Sequence, residues 1–380
     1  MIHFRNWPPP YAGKEGRMNS QRHRGLSAFV VCGACLLPLA MTNWARPQAS
    51  PISDVVSPQR LYSDPEPLFR VVQNRKWGYM DKSGKVAIPP SYEDAYPHNE
   101  GYAIVQLSHD VSIGTVGVYM KREQVRMCFI DKKGNQVGLA YPALRPFSDG
   151  LGLVADPASR SWSFIDKSGK VALSGYKAAT PFSEGLAAVG SSGEVGYIDT
   201  AGKAVIPAQY SEGGTFKEGL ASVKVDKKWG YIDRNGKMVV APQFDDVLTY
   251  TEGLAAVRLK GKWGFIDKTG QMVIPAQFHE AFGFSEGFAD VKEGGKWGYI
   301  DKTGRMAISP QFDQTHSYLQ GLASVRLGKK WGFIDTSGKM VIPSQYDETW
   351  GFINGLAEVR VGKEFGYINT TGKYVWGPTQ

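Results

Sequence analysis

The feature that most constrains this chain is a period. The phrase Lys262-Trp263-Gly264-Phe265-Ile266-Asp267-Lys268-Thr269-Gly270 recurs with small changes from near residue 76 onward. Its Trp position, or the residue standing in for it, falls at Trp77, Met127, Trp162, Val195, Trp229, Trp263, Trp297, Trp331 and Phe365. From Trp162 the steps are 33 residues and then 34, five times over. A fixed step of that size means one supersecondary unit copied in tandem, each copy burying its apolar face against the next.

Each unit reads as three short strands. Around Trp263 these are Leu254 to Leu259, Lys262 to Asp267, and Gln271 to Pro275, each a short apolar-rich run bounded by turn residues. The first connection is two residues long, Lys260-Gly261 here and Gly294-Gly295 in the next unit, and glycine supplies the positive φ of a tight hairpin. The second is Asp267-Lys268-Thr269-Gly270: Asp accepts a backbone hydrogen bond at the first position and Gly takes the left-handed conformation at the fourth. Pro275 lacks a backbone donor and ends the ladder. The aromatics that follow in successive units, Tyr210, Phe244, Phe278, Phe312 and Tyr346, have the spacing of plugs against a neighbour. Alternation puts Trp263, Phe265 and Asp267 on one face and Gly264 and Ile266 on the other. Glycine beside tryptophan marks a close approach, with the next unit's backbone as the simplest candidate.

The expected fold is therefore all-β, a tandem array of about nine three-stranded antiparallel meander repeats of about 34 residues. The array opens on a first strand (Leu68 to Val72) and its last unit has a third strand (Lys373 to Trp376), so every meander is complete within one stretch of chain. That favours an open, curved stack over the alternative, a closed propeller-like toroid, which commonly joins its terminal strands in one blade of four.

The phrase Trp-Gly-[Tyr/Phe]-Ile-Asp-x-x-Gly-Lys, with Val-Ile-Pro and Glu-Gly-Leu-Ala after it, resembles the WG (or KWG) repeat of bacterial proteins, over roughly residues 68 to 380. The resemblance implies a β-rich repeat array, often exported, with no established common activity. Departures are Met127-Cys128-Phe129, Ser163 in place of Gly, Val195 in place of Trp, and Phe365 with Asn369 in the last unit. The 50-residue step from Trp77 to Met127 places an insertion near residues 108 to 124, a candidate contact loop.

Of the net charge of +8, half lies in residues 1 to 45, where Arg5, Lys14, Arg17, Arg22 and Arg24 face only Glu15. The remaining excess is too mild to point to nucleic acid. Residues 1 to 45 have the layout of a signal peptide or N-terminal anchor: basic Gln21 to Arg24, then an apolar run from Gly25 to Met41. Met18 is the more usual start, and cleavage after Ala40 or Ala45 would release the array to the periplasm or the exterior. Uncleaved, residues 25–41 would anchor it to the inner membrane, its sole membrane contact. Residues 46–66 read as a Pro/Ser-rich linker and 67–380 as the repeat domain. With Cys32 and Cys35 in the leader, Cys128 is the thiol that stays with the repeats.

Nothing in the sequence points to a reaction, a metal or a cofactor. His98, His109, His279 and His316 occupy different places in their units without ligand spacing, and the row Asp199, Asp233, Asp267, Asp301 and Asp335 is explained by turns. Two rows of bases stand out. Lys224, Arg258, Lys292, Arg326 and Arg360 follow the Val of each first strand, and Lys228, Lys262, Lys296 and Lys330 precede each Trp. The candidate binding residues are Lys228, Lys262, Lys296, Lys330, Arg258, Arg326, Trp263 and Trp297. They would form a charged and aromatic stripe, or else be strand-face charges pairing with Glu184, Glu218, Glu252 and Glu286 beside a tryptophan core. The expected function is a non-catalytic exported scaffold binding a protein at the cell envelope; the alternative is a module for envelope polysaccharide or another extended anionic polymer.

Overall fold

Two kinds of local turn set the architecture, and both follow from the repeat. At each Asp-x-x-Gly, the Asp side chain caps the turn. Asp267 Oδ1 accepts from Thr269 N at 2.9 Å, Thr269 Oγ1 at 2.6 Å and Gln271 N at 2.9 Å. Gly270, at φ 86°, donates back to the Asp267 carbonyl at 3.0 Å. The hydroxyl of Thr269, with these amides, holds the Asp267 carboxyl below the usual carboxylate range.

The second kind lies inside Glu-Gly-Leu-Ala. Thr251 and Leu254 exchange backbone hydrogen bonds at 2.9 and 3.1 Å around Glu252 and Gly253, at φ 54° and 87°. Two successive positive φ values make a type I′ hairpin turn. A short strand therefore precedes every meander but the first among the described residues, and the unit has four strands, not three: Asp246–Val247, Ala255–Leu259, Lys262–Ile266 and Met272–Phe278 around Trp263.

The computed structural model describes residues 66–107, 126–156, 159, 161–191 and 193–379. The leader, the linker up to residue 65 and the insertion at 108–124 lie outside them. The described residues form nine antiparallel sheets, one of three strands and eight of four, each in simple sequential order. We number them as blades: 1, Phe69–Tyr92; 2, Asp94–Tyr141; 3, Leu144–Tyr176; 4, Ala178–Tyr210; 5, Glu212–Phe244; 6, Asp246–Phe278; 7, Glu280–Phe312; 8, Gln314–Tyr346; 9, Glu348–Thr379. In blades 4 to 8 the two-residue strand forms the inner edge and the seven-residue strand the outer one, with Val273 and its counterparts facing solvent.

The core sits between blades. One cluster joins Phe265, Ile274 and Phe278 of blade 6 to Phe284, Val291 and Ile300 of blade 7, and the other clusters bridge neighbours in the same manner. Rings at equivalent positions meet across these junctions: Tyr231 with Tyr250 at 4.8 Å, Phe265 with Phe284 at 5.0 Å, Phe333 with Phe352 at 4.8 Å.

The array closes on itself. Phe69, Val71 and Met80 of blade 1 share a core with Leu356 and Tyr367 of blade 9. Trp77 meets Phe365 edge-on at 5.5 Å. Arg70 donates to Glu358 Oε1 at 2.7 Å and Oε2 at 3.0 Å, and to the Ala95 carbonyl of blade 2 at 3.0 Å, tying three blades together. The favoured open stack is thus corrected to a propeller-like ring of nine blades. Complete repeats at the two ends do not prevent closure, because side chains across the last junction make it without a shared strand among the described residues.

The glycine after tryptophan is also relocated. A Cβ on Gly264 would lie 2.5 Å from the Ile274 carbonyl oxygen and 2.7 Å from Ala276 N. The close approach is to the outer strand of its own blade, where Pro275, Ala276 and Gln277 bulge between the pairs Trp263↔Phe278 and Phe265↔Ile274. Blade 3 has one residue fewer in that bulge, between Trp162↔Tyr176 and Phe164↔Leu173. This accounts for both its 33-residue step and its tolerance of Ser163.

Candidate functional site

The Glu of each Glu-Gly turn reaches the next blade. Glu184 accepts from Glu218 N at 2.6 Å and Gly219 N at 2.9 Å; Glu252 accepts from Gly287 N at 3.0 Å. These carboxylates also meet the bases of the Asp-x-x-Gly turns, Lys268 with Glu218 and Lys302 with Glu252 at 3.1 Å each. The glutamates therefore stitch one face of the ring, and they are not the partners of the two basic rows.

Both basic rows lie toward the opposite face, which carries the Lys260-Gly261 type turns and the links between blades. In the inner row Arg360 of blade 9 stands opposite Phe365, and each base of blades 5 to 8 stands opposite a tryptophan, as in the pair Arg258↔Trp263. Its charge lies over the ring, Lys224 at 5.3 Å from Trp229, Arg258 at 5.9 Å from Trp263, Lys292 at 5.7 Å from Trp297. Each also pairs with the first residue of its blade: Lys224 with Glu212 at 2.6 Å, Arg258 with Asp246 at 3.4 Å, Lys292 with Glu280 at 2.5 Å, and Arg360 with Glu348. Burial pushes the Asp246 carboxyl up, against the pull of Arg258.

The outer row is occupied differently. Lys228, Lys296 and Lys330 bond Asp245, Asp313 and Asp347 of the inter-blade links at 2.6, 2.7 and 2.8 Å. Asp313 and Asp347 also accept from Gly328 N and Gly362 N, capping the tight turn of the following blade, at 2.7 Å each. The lysine bond, with that amide, holds the Asp313 carboxyl low. Such pairs are largely solvent-exposed and contribute little to stability.

Two blades break these patterns. In blade 6 the link residue is His279 where its neighbours carry Asp, and Lys262 has no carboxylate in ion-pair range among the described residues. In blade 8 the acid of the inner row is replaced by Gln314, paired in register with Arg326. Arg326 lies 5.9 Å over Trp331 and has no ion pair among the described residues.

The same sector carries an aromatic arc. Residues 34 apart on the inner edge are Leu248, Phe282, His316 and Trp350. Phe282 is 42% exposed and stacks on the buried Trp297 at 5.3 Å and 17°. His316 stacks on Trp331 at 4.4 Å and 6°, approaches Trp350 at 5.4 Å, and bonds Ser324 Oγ through Nδ1 at 2.8 Å.

The structure thus separates the predicted residues. Trp263 and Trp297 stack beneath other groups, Lys228, Lys296, Lys330 and Arg258 are engaged in ion pairs, and Lys262 and Arg326 are not. Sequence reasoning overlooked Phe282, Trp350 and Gln314 and gave His316 no role. Their signal is a column of the 34-residue alignment in which residue type changes while its neighbours hold.

One buried acid stands apart. Asp290, 1% exposed, lies at the junction of blades 7 and 8, where Ser317 Oγ donates to it at 3.2 Å. Burial pushes its carboxyl up to about 6. Position-equivalent residues in blades 6 and 8 are Ala256 and Ser324, and the acid recurs in blade 9 as Glu358.

The family profile described as WG containing repeat matches seven segments, residues 77–108, 162–191, 196–229, 229–263, 263–297, 297–331 and 331–364, together more than half of the chain. No curated protein matches. Among solved structures, a eukaryotic initiation factor superposes with a TM-score of 0.56 at 12% identity, covering 83% of this chain and 97% of its own. The dihydro-haem d1 dehydrogenase NirN gives 0.42 at 13% identity over 66% and 69% of the two chains. Hsv2p of Kluyveromyces lactis gives 0.39 at 7% identity over 64% and 92%. The first of these is a likeness of fold alone, and the other two are too distant to carry an argument.

Proposed function

Because the chain belongs to the WG-repeat family, whose units here close into a ring that varies along one arc, we propose that it is a non-catalytic protein-binding module. The contact surface is the inner edge of blades 6 to 9. The observation that carries this reading is Phe282, a large aromatic 42% exposed and backed by Trp297. An exposed ring held rigid by stacking is an anchor for a partner. Repeated residues are accounted for by turns, core and inter-blade pairing, so specificity falls to the columns that change.

The test is a photo-crosslinking phenylalanine analogue introduced at Phe282 or, as a control, at Val273 on an outer strand. A discrete protein adduct at position 282, missing at 273, is expected in the producing cell. Equal labelling at both positions, or none, rejects the reading.

The same proposal places the module outside the cytoplasm, since the basic and then apolar order of residues 21–41 suits export. N-terminal sequencing of the mature protein tests this, and an intact Met1 or Met18 terminus in the cytosolic fraction rejects it.

A further inference from the structure

The inner row of the ring works as a set of matched charges. Glu212, Asp246, Glu280 and Glu348 each neutralise the base opposite, at distances down to 2.5 Å among the pairs of blades 5 to 7. Blade 8 keeps the base and the tryptophan, Arg326 over Trp331, and substitutes Gln314 for the acid. Arg326 does influence Asp313, but that carboxylate is taken by Lys296 on one oxygen and by Gly328 N on the other. On the same face, His279 in blade 6 leaves Lys262 without its acid. Two uncompensated cations therefore lie in the blades on either side of blade 7, which carries the exposed Phe282.

We propose that Arg326 seats a carboxylate of an acidic segment of a partner protein, which takes the place of the acid that blade 8 lacks. Phe282, His316 and Trp350 receive the segment's apolar side chains, and Lys262 a second acidic group. This rests on the protein-binding reading above and deepens it. The chemistry is that of blades 5 to 7: a base already lying over a tryptophan and held at the inner edge, needing a carboxylate to complete it. A guanidinium suits that role because its planar fork accepts a carboxylate on two donors. A protein segment fits better than a uniform polyanion for two reasons. The lysines that a polyanion would track, Lys228, Lys296 and Lys330, are neutralised within the fold. The surface between the open cations is an exposed phenylalanine, which asks for an apolar side chain.

The test uses the full chain and a fluorescein-labelled peptide of alternating glutamate and phenylalanine, followed by anisotropy. Controls are the glutamine-phenylalanine peptide and polygalacturonate. The acidic peptide is expected to bind saturably, more weakly at high salt, and the glutamine peptide not to bind. Gln314→Glu supplies the missing acid internally and is expected to weaken binding at least tenfold, with an unchanged or raised melting temperature. Arg326→Gln should weaken it equally, and Lys262→Gln several-fold.

Unaltered affinity in Gln314→Glu overturns the proposal, as does equal binding of the glutamine peptide. Binding of polygalacturonate alone, lost in the same variants, would reassign the site to a polymer and overturn it too. A crosslink at position 282 that survives Gln314→Glu removes this inference while leaving the protein-binding reading in place.

Discussion

Gly264 shows how a conspicuous residue is explained by a contact within its own repeat unit. Its missing Cβ makes room for the Ile274 carbonyl and for Ala276 N, backbone atoms that cannot rotate away. Gly264→Ala is therefore expected to cost about 3 kcal/mol, at the upper end of overpacking penalties, read as a lowered midpoint in chemical denaturation. Asp290 gives the opposite sign. Its carboxyl is raised to about 6 in the fold from an ordinary 3.8. The native state thus holds the proton more tightly than the unfolded one, and stability is lost as pH rises from about 4 through 6. Asp290→Asn is expected to stabilise the protein at pH 8 by roughly 1–3 kcal/mol, a pKa unit being worth about 1.4 kcal/mol. That gain should shrink to nothing below about pH 4 in paired melting curves.

At the scale of elements, the Glu-Gly turn is the piece that converts a meander into a blade. A glutamate at positive φ is strained by its own Cβ, roughly 1–2 kcal/mol in the left-handed region. Glu184, at φ 55°, is held there while its carboxylate satisfies two amides of the next turn. The closing junction replaces repetition with a specific pair, Arg70 and Glu358, whose side chains are 17% and 15% exposed. Glu358→Leu alone would strand a buried guanidinium and is expected to cost about 3–5 kcal/mol. Adding Arg70→Met should return most of that loss in the same denaturation experiment, because a buried ion pair and an apolar pair of similar volume differ little. A double variant as unstable as the single one would show that the pair is more than a matched charge.

For the whole molecule, closure changes what a repeat is worth. In an open stack, removing the last unit would expose one interface. In the ring, removing residues 348–380 uncovers two, leaving Trp331 and Phe333 of blade 8 and Phe69, Val71 and Met80 of blade 1 without the blade 9 residues they pack against. The truncated chain is expected to lose its cooperative melt and to bind a hydrophobic dye. A truncated chain that melts cooperatively with only a proportionate loss would contradict closure.

How much was legible follows from the range of each interaction. Strand order, the Asp-x-x-Gly turns and the glycine-bearing tight turns depend on residues close in sequence, so the 34-residue phrase determined them, together with the all-β class and the number of units. The fourth strand was written there too, in a Glu-Gly dipeptide with the form of a hairpin turn, but its short strand has only two paired residues and no hydrophobic period to announce it. Closure was not written locally: Arg70 and Glu358 are 288 residues apart, and either could have met solvent in an open stack. Nor was the state of the basic rows. Lys262 and Lys296 look alike in sequence, and only folding brings Asp313 to one and leaves His279 at the equivalent place beside the other. The sequence by itself determined the unit, because turns and pleats are local. The tertiary structure decided that the units form a ring, and which of their charges remain available, because those depend on residues that meet only when neighbouring blades pack.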